Sequence, residues 1–87
     1  SVQSDLSSYG KHDIISINGI STSDIVNLSI KNEKNELVWA EQISVKNNDA
    51  YSTLAIAGGN GWENSGTYSL MVDDGSKSKF TKFSFTS

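Results

Sequence analysis

Short runs of β-branched and aromatic residues alternate along this chain with clusters of Ser, Asn, Asp and Gly. Nowhere do apolar residues recur at i, i+3, i+4 and i+7, so the pattern predicts strands and no long helix. The first run, Asp13 to Ile17, ends at the turn signal Asn18-Gly19. From Ile25 to Lys31, Val26, Leu28 and Ile30 fall on one face, and Asn27 and Ser29 on the other. From Leu37 to Val45, Leu37, Trp39, Ile43 and Val45 share a phase that Glu41 interrupts, while Val38 and Ala40 take the opposite one. Tyr51 to Ile56 slips in parity, Tyr51 and Thr53 against Leu54 and Ile56, which a β-bulge would absorb. Thr67 to Val72 alternates cleanly with Tyr68, Leu70 and Val72 inward. Lys79 to Thr86 turns Thr81, Phe83 and Phe85 one way and leaves Phe80 out of phase.

Between the runs lie the turns Asn32-Glu33-Lys34-Asn35, Lys46-Asn47-Asn48-Asp49, Gly58-Gly59-Asn60-Gly61 and Asp73-Asp74-Gly75-Ser76. Six or seven strands spaced about ten residues apart, with no helix between them, predict an all-β antiparallel sandwich. A closed barrel is the structural alternative. The polar, Ser-rich stretch before residue 10 is expected to be a flexible lead-in or linker, residues 1–9, ahead of a sandwich domain over 10–87.

Composition narrows the chemistry. The 87 residues contain no Cys, which removes disulfides and thiolate metal sites. Net charge is −3, and every basic residue is Lys, so the footprint of a nucleic-acid binder is missing. No apolar run approaches the roughly 20 residues of a membrane-spanning helix. The chain starts at Ser1 with neither an initiator Met nor a signal-peptide pattern, as expected of a processed product or an excised domain. His12 is the only histidine, and it lacks companions for general-base or metal chemistry. The expectation is a non-catalytic domain.

Asn64-Ser65-Gly66-Thr67-Tyr68 resembles the D-x-G-x-Y signature that precedes strand F of immunoglobulin-type sandwiches, with Asn at the Asp position. The resemblance implies a tyrosine corner, with the Tyr68 ring in the core and its hydroxyl bonded to backbone in the preceding loop. It also implies that Gly66 supplies a backbone angle other residues resist. Leu70 would stand where antibody domains carry the second Cys, facing Leu28 on strand B, and Trp39 would be the strand-C tryptophan. A longer layout is similar to secreted archaeal sandwich repeats of surface-layer (S-layer) and other cell-envelope proteins. It runs through Gly19, Asn35, Tyr51, Gly58-Gly59, Trp62, Ser65-Gly66-Thr67-Tyr68 and Phe83-Ser84-Phe85. It implies an immunoglobulin-like repeat domain in an extracellular, cell-surface structural protein, whose partners are neighbouring domains or copies of a polymer.

A few residues invite sharper readings. Trp62, beside Gly61, could stack on a sugar ring with Tyr51 as a second platform, making a carbohydrate-binding or adhesion module. The competing role is a Trp that plugs the end of the sandwich. Asp73 and Asp74, with Asp49 or Glu63, are the candidate ligands for a structural calcium, although two adjacent Asp are also ordinary turn chemistry. Asn27-Leu28-Ser29 is an N-glycosylation sequon whose Asn is expected on the solvent face. Lys77, Lys79 and Lys82 fit the protection of a sheet edge better than a phosphate track.

Overall fold

The computed structural model describes all 87 residues. Eight strands follow in order: β1 (Gln3–Ser4), β2 (Ser8–Gly10), β3 (Ile14–Ile20), β4 (Ile25–Lys31), β5 (Leu37–Ser44), β6 (Ala50–Ile56), β7 (Gly66–Asp73) and β8 (Ser78–Thr86). They form a three-stranded sheet, β1-β3-β6, and a five-stranded sheet, β2-β8-β7-β4-β5. The two inner faces enclose one core. Ile15, Ile17, Tyr51 and Ala55 come from the smaller sheet, and Tyr9, Val26, Leu28, Ile30, Tyr68, Leu70, Val72, Phe83 and Phe85 from the larger. Ala57 and Trp62 close it from the β6–β7 connection. No helix is long and apolar enough to cross a membrane.

The architecture is an immunoglobulin-like sandwich. β3 and β6 occupy the places of strands B and E, and β4, β5, β7 and β8 those of C, C′, F and G. The opening of the chain is divided between the sheets, β1 pairing antiparallel with β3 and β2 parallel with β8. The parallel pair needs no crossover helix of its own, because it joins the two extremes of the chain.

That division corrects the expected lead-in. Residues 1–9 are folded, and polar groups hold them. The Ser1 nitrogen donates to the Ile20 carbonyl at 2.8 Å, and Ile20 N–H donates to Ser1 Oγ at 3.0 Å. Asp5 N–H donates to the Ser16 carbonyl, and Ser16 N–H returns a bond to Asp5 Oδ1, both at 3.0 Å. Tyr9 is 2% exposed, and its hydroxyl donates to Asp5 Oδ1 at 2.5 Å while accepting from Leu6 N–H at 2.9 Å. Burial and the adjacent carboxylate raise the Tyr9 pKa, whereas the Tyr9 hydroxyl and Ser16 N–H lower that of Asp5.

Three further expectations change. Asn18-Gly19 is not a turn, since β3 runs on to Ile20. Gly19 lies directly opposite Tyr51, and the Tyr51 ring fills the space that a Cβ would take, 2.5 Å from Cζ. The Tyr51 hydroxyl reaches over Gly19 to donate to the Ser1 carbonyl. β6 has no bulge; it pairs with β3 without interruption from Ile14↔Ile56 to Ile20↔Ala50, so Tyr51, Thr53 and Ala55 point inward and Leu54 and Ile56 point out. The irregularity sits instead in β5, where Ile30 pairs with Trp39 but Lys31 pairs with Leu37. Val38 is the extra residue, and it shifts the phase so that Leu37 is 59% exposed.

Candidate functional site

The tyrosine corner is present. Tyr68 is 1% exposed, and its hydroxyl donates to the Asn64 carbonyl at 2.7 Å. Burial and the nearby Glu63 and Glu33 carboxylates raise its pKa. Gly66 has the backbone angle expected of it, a φ of 158° that L side chains rarely adopt, and a Cβ there would also strike the Glu33 carboxylate. Glu33 uses that opening to accept the Thr67 N–H at 2.9 Å, tying the β4–β5 turn to the start of β7. Asn32 reinforces this end. Its Oδ1 accepts from Lys34 and Glu36 N–H, and its Nδ2 donates to the Gly61 carbonyl, all at 3.0 Å.

The sheet order overturns the expected Leu28–Leu70 contact across the sandwich. β4 and β7 are neighbours in one sheet, with Leu28 opposite Val72 and Leu70 opposite Ile30. Both leucines are buried, but the facing sheet contributes Ile15 and Ile17. Trp39 lies on the edge strand β5 and is only half-buried against the core. It is not the central strand-C tryptophan.

The alternative sugar platform does not form, and Trp62 takes the plugging role. Trp62 is 4% exposed, stacked on Tyr68 at 4.8 Å between ring centroids and edge-on to Phe85 at 5.0 Å. It plugs one end of the core under its own loop, because a ring of that size contributes more as buried area than a small domain can forgo. Tyr51 is 2% exposed over Gly19, and its burial pushes its pKa up to about 12. Neither ring offers a free face.

Three of the candidate calcium ligands, Asp73, Asp74 and Glu63, accept local backbone hydrogen bonds. Asp73 Oδ1 accepts Gly75 N–H at 2.8 Å, and Asp74 Oδ1 accepts Ser76 and Lys77 N–H at 2.9 Å. Those bonds lower the Asp74 pKa. Glu63 belongs to the β6–β7 connection, where it accepts Gly61 N–H at 2.8 Å. No three His, Cys, Asp or Glu side chains gather in one place. Asn27 lies on the solvent face of β4, as alternation requires.

Two surfaces have features that residue-by-residue reading missed. One is the outside of the five-stranded sheet, where Phe80, Met71, Ser29 and Ala40 stand in register across β8, β7, β4 and β5. The other is the outside of the three-stranded sheet. There Ile14, Ser16, Asn18 and Ile20 of β3 alternate with Ala50, Ser52, Leu54 and Ile56 of β6, and no charged residue interrupts them. Ile14, Ile20, Leu54 and Ile56 are 58–64% exposed. The wrong phase assigned to β6 concealed this face. Two of the molecule's four hollows are open surface features on these faces, one of about 350 Å³ beside Met71 and Leu37 and one of about 470 Å³ beside Ser16, Ser52 and Leu54.

No family model matches the chain, and no curated protein matches it. Fold and surface therefore carry the functional argument.

Proposed function

We propose that this chain is a non-catalytic structural module of an extracellular cell-surface protein, of the surface-layer or envelope kind, that spaces and docks neighbouring domains. The observation that supports it is the placement of Ser1 and Ser87. Ser1 is bonded to Ile20, at the end of the sandwich that holds the Asp74–Lys77 turn. Ser87 is bonded to Ser65, at the end that holds Trp62 and the Asn32–Glu36 turn. The body between them is 37 Å long and 18–20 Å across. A polypeptide passing through this domain enters at one end and leaves at the other, as a spacer needs. The interior is filled by side chains, so work is left to faces, edges and ends. The resemblance of the sequence layout to archaeal repeats and the exposed Asn27 sequon support an envelope setting.

Small-angle scattering from two and three tandem copies tests the spacer. The maximum dimension should rise by roughly one sandwich length, about 20–40 Å, per copy. Folding back to a constant length would refute it. An antibody to the domain should label intact source cells, and labelling only after lysis would refute the surface location.

A further inference from the structure

We propose that the free edge of β6 is a strand-pairing site for a second copy of this chain, joining two three-stranded sheets into one across a two-fold axis at Leu54. The proposal extends the docking role above but does not depend on it, because the edge exists in the isolated chain.

The argument begins with which backbone groups are spoken for. In an antiparallel ladder every second pair exchanges hydrogen bonds. Ala57 N–H donates to Asp13, and Ser21 N–H donates to Asp49, each at 2.9 Å. With the β3–β6 register, this assigns the odd-numbered residues of β6 to bonds with β3. The even-numbered residues Ala50, Ser52, Leu54 and Ile56 aim their N–H and C=O groups away from it. Ala50 is already occupied, its carbonyl accepting Lys46 N–H at 2.8 Å and its N–H donating to Asn48 Oδ1 at 3.3 Å. Ser52, Leu54 and Ile56 remain, and β6 has no other strand beside it.

Exposed edges invite pairing, and sheets blunt them with shortness, bulges or inward-pointing charge. The other edges of this molecule carry such devices. β1 and β2 are two and three residues long. The part of β8 that β2 leaves uncovered has Lys79 opposite buried Val72, in the inward phase. β5 has its irregular residue Val38 and places Glu41 opposite buried Leu28. β6 has none: Ala-Tyr-Ser-Thr-Leu-Ala-Ile is seven residues without charge, Pro or Gly.

A second copy fits this edge for two reasons. The register centred on Leu54 places Leu54 opposite its equivalent and Ser52 opposite Ile56, using every free backbone group of the three residues. It also continues an outer face that is uncharged in a chain with 20% charged residues, so the copies meet without like charges on that face. The charged side chain that does bond β6 is Glu41, which accepts the Thr53 hydroxyl from the inner side. A strand of this length spans about 23 Å, so the contact is smaller than a standard interface and the association is weak, growing with concentration.

Sedimentation of the isolated chain from about 10 µM to about 1 mM reads it, in the range expected of small interfaces. The weight-average mass should rise toward twice the monomer. Leu54→Lys, at a position 62% exposed, should stay monomeric throughout, because like charges directly opposite destabilise a ladder. Phe80→Lys, on the outside of the other sheet, should associate as the parent does. Amide exchange at Ser52, Leu54 and Ile56 should slow with concentration in the unmodified protein, a readout independent of whether the variant folds. A monomer at the highest concentration with those amides unprotected, or association abolished by Phe80→Lys and kept by Leu54→Lys, overturns the proposal.

Discussion

Replacing Gly19 by Ala sets two effects of known sign against each other. In a strand interior Ala is better than Gly by about 0.5–1 kcal/mol, because it loses less backbone freedom on folding. Here the new methyl would stand 2.5 Å from Tyr51 Cζ, with the Tyr51 hydroxyl and the Ser1 carbonyl closer still. A fully buried ring near the start of β6 cannot swing away cheaply, and overpacking of this kind costs about 1–3 kcal/mol. The steric effect outweighs the entropic one, for a net loss of about 1–2 kcal/mol. For a domain of this size each kcal/mol lowers the melting temperature by roughly 4–8 °C. The decisive measurement is the double-mutant cycle with Tyr51→Val, all four proteins being melted in sucrose to keep the weakest folded. With the ring gone the Ser1 carbonyl loses its bond and can shift, so Gly19→Ala should become stabilising by about 0.5–1 kcal/mol. An equal loss in both backgrounds would show that Tyr51 is not what keeps this position a glycine.

Tyr68→Phe should cost about 0.5–1.5 kcal/mol by removing the bond to the Asn64 carbonyl, and an unchanged urea midpoint with an unchanged slope would count against the corner. Trp62→Ala should cost about 3–5 kcal/mol. In a Trp39→Phe background the remaining emission should be blue-shifted and resist iodide, whereas a quenchable, solvent-like spectrum would return Trp62 to the surface. The tyrosines should ionise late. Burial favours the neutral phenol in the folded chain, raising all three and Tyr51 to about 12, while the unfolded chain ionises near pH 10. Stability is therefore intact below pH 10 and falls as pH rises toward 12. Phenolate absorbance against pH checks this, and a single native transition at the ordinary value would refute it.

Sequence alone determined the fold class, because period-two alternation states which residues face inward wherever one face is buried and the other wet. Val26, Leu28 and Ile30, then Tyr68, Leu70 and Val72, then Phe83 and Phe85 were all legible in that way, and all are buried. The corner was legible too, since its partner lies only four residues from Tyr68 and needs no knowledge of the rest of the chain. What failed depended on neighbours distant in sequence. Residues 1–9 looked unstructured because their hold is mainly backbone and polar, through Ile20, Ser16 and Ser84, and leaves little apolar pattern. Missing those strands displaced the assignment of the two that carry Leu28 and Trp39, so Leu28 was placed on strand B and Trp39 on strand C, while β7 kept its place as strand F. Trp62 and Tyr51 show the same limit from the side-chain end: local sequence leaves an aromatic near a turn open to a platform as well as a plug. Only the packing of Trp62 on Tyr68 and of Tyr51 over Gly19 decided between them. The β6 edge belongs wholly to tertiary structure, because whether a strand has a second neighbour is a property of the sheet and is written in no local pattern.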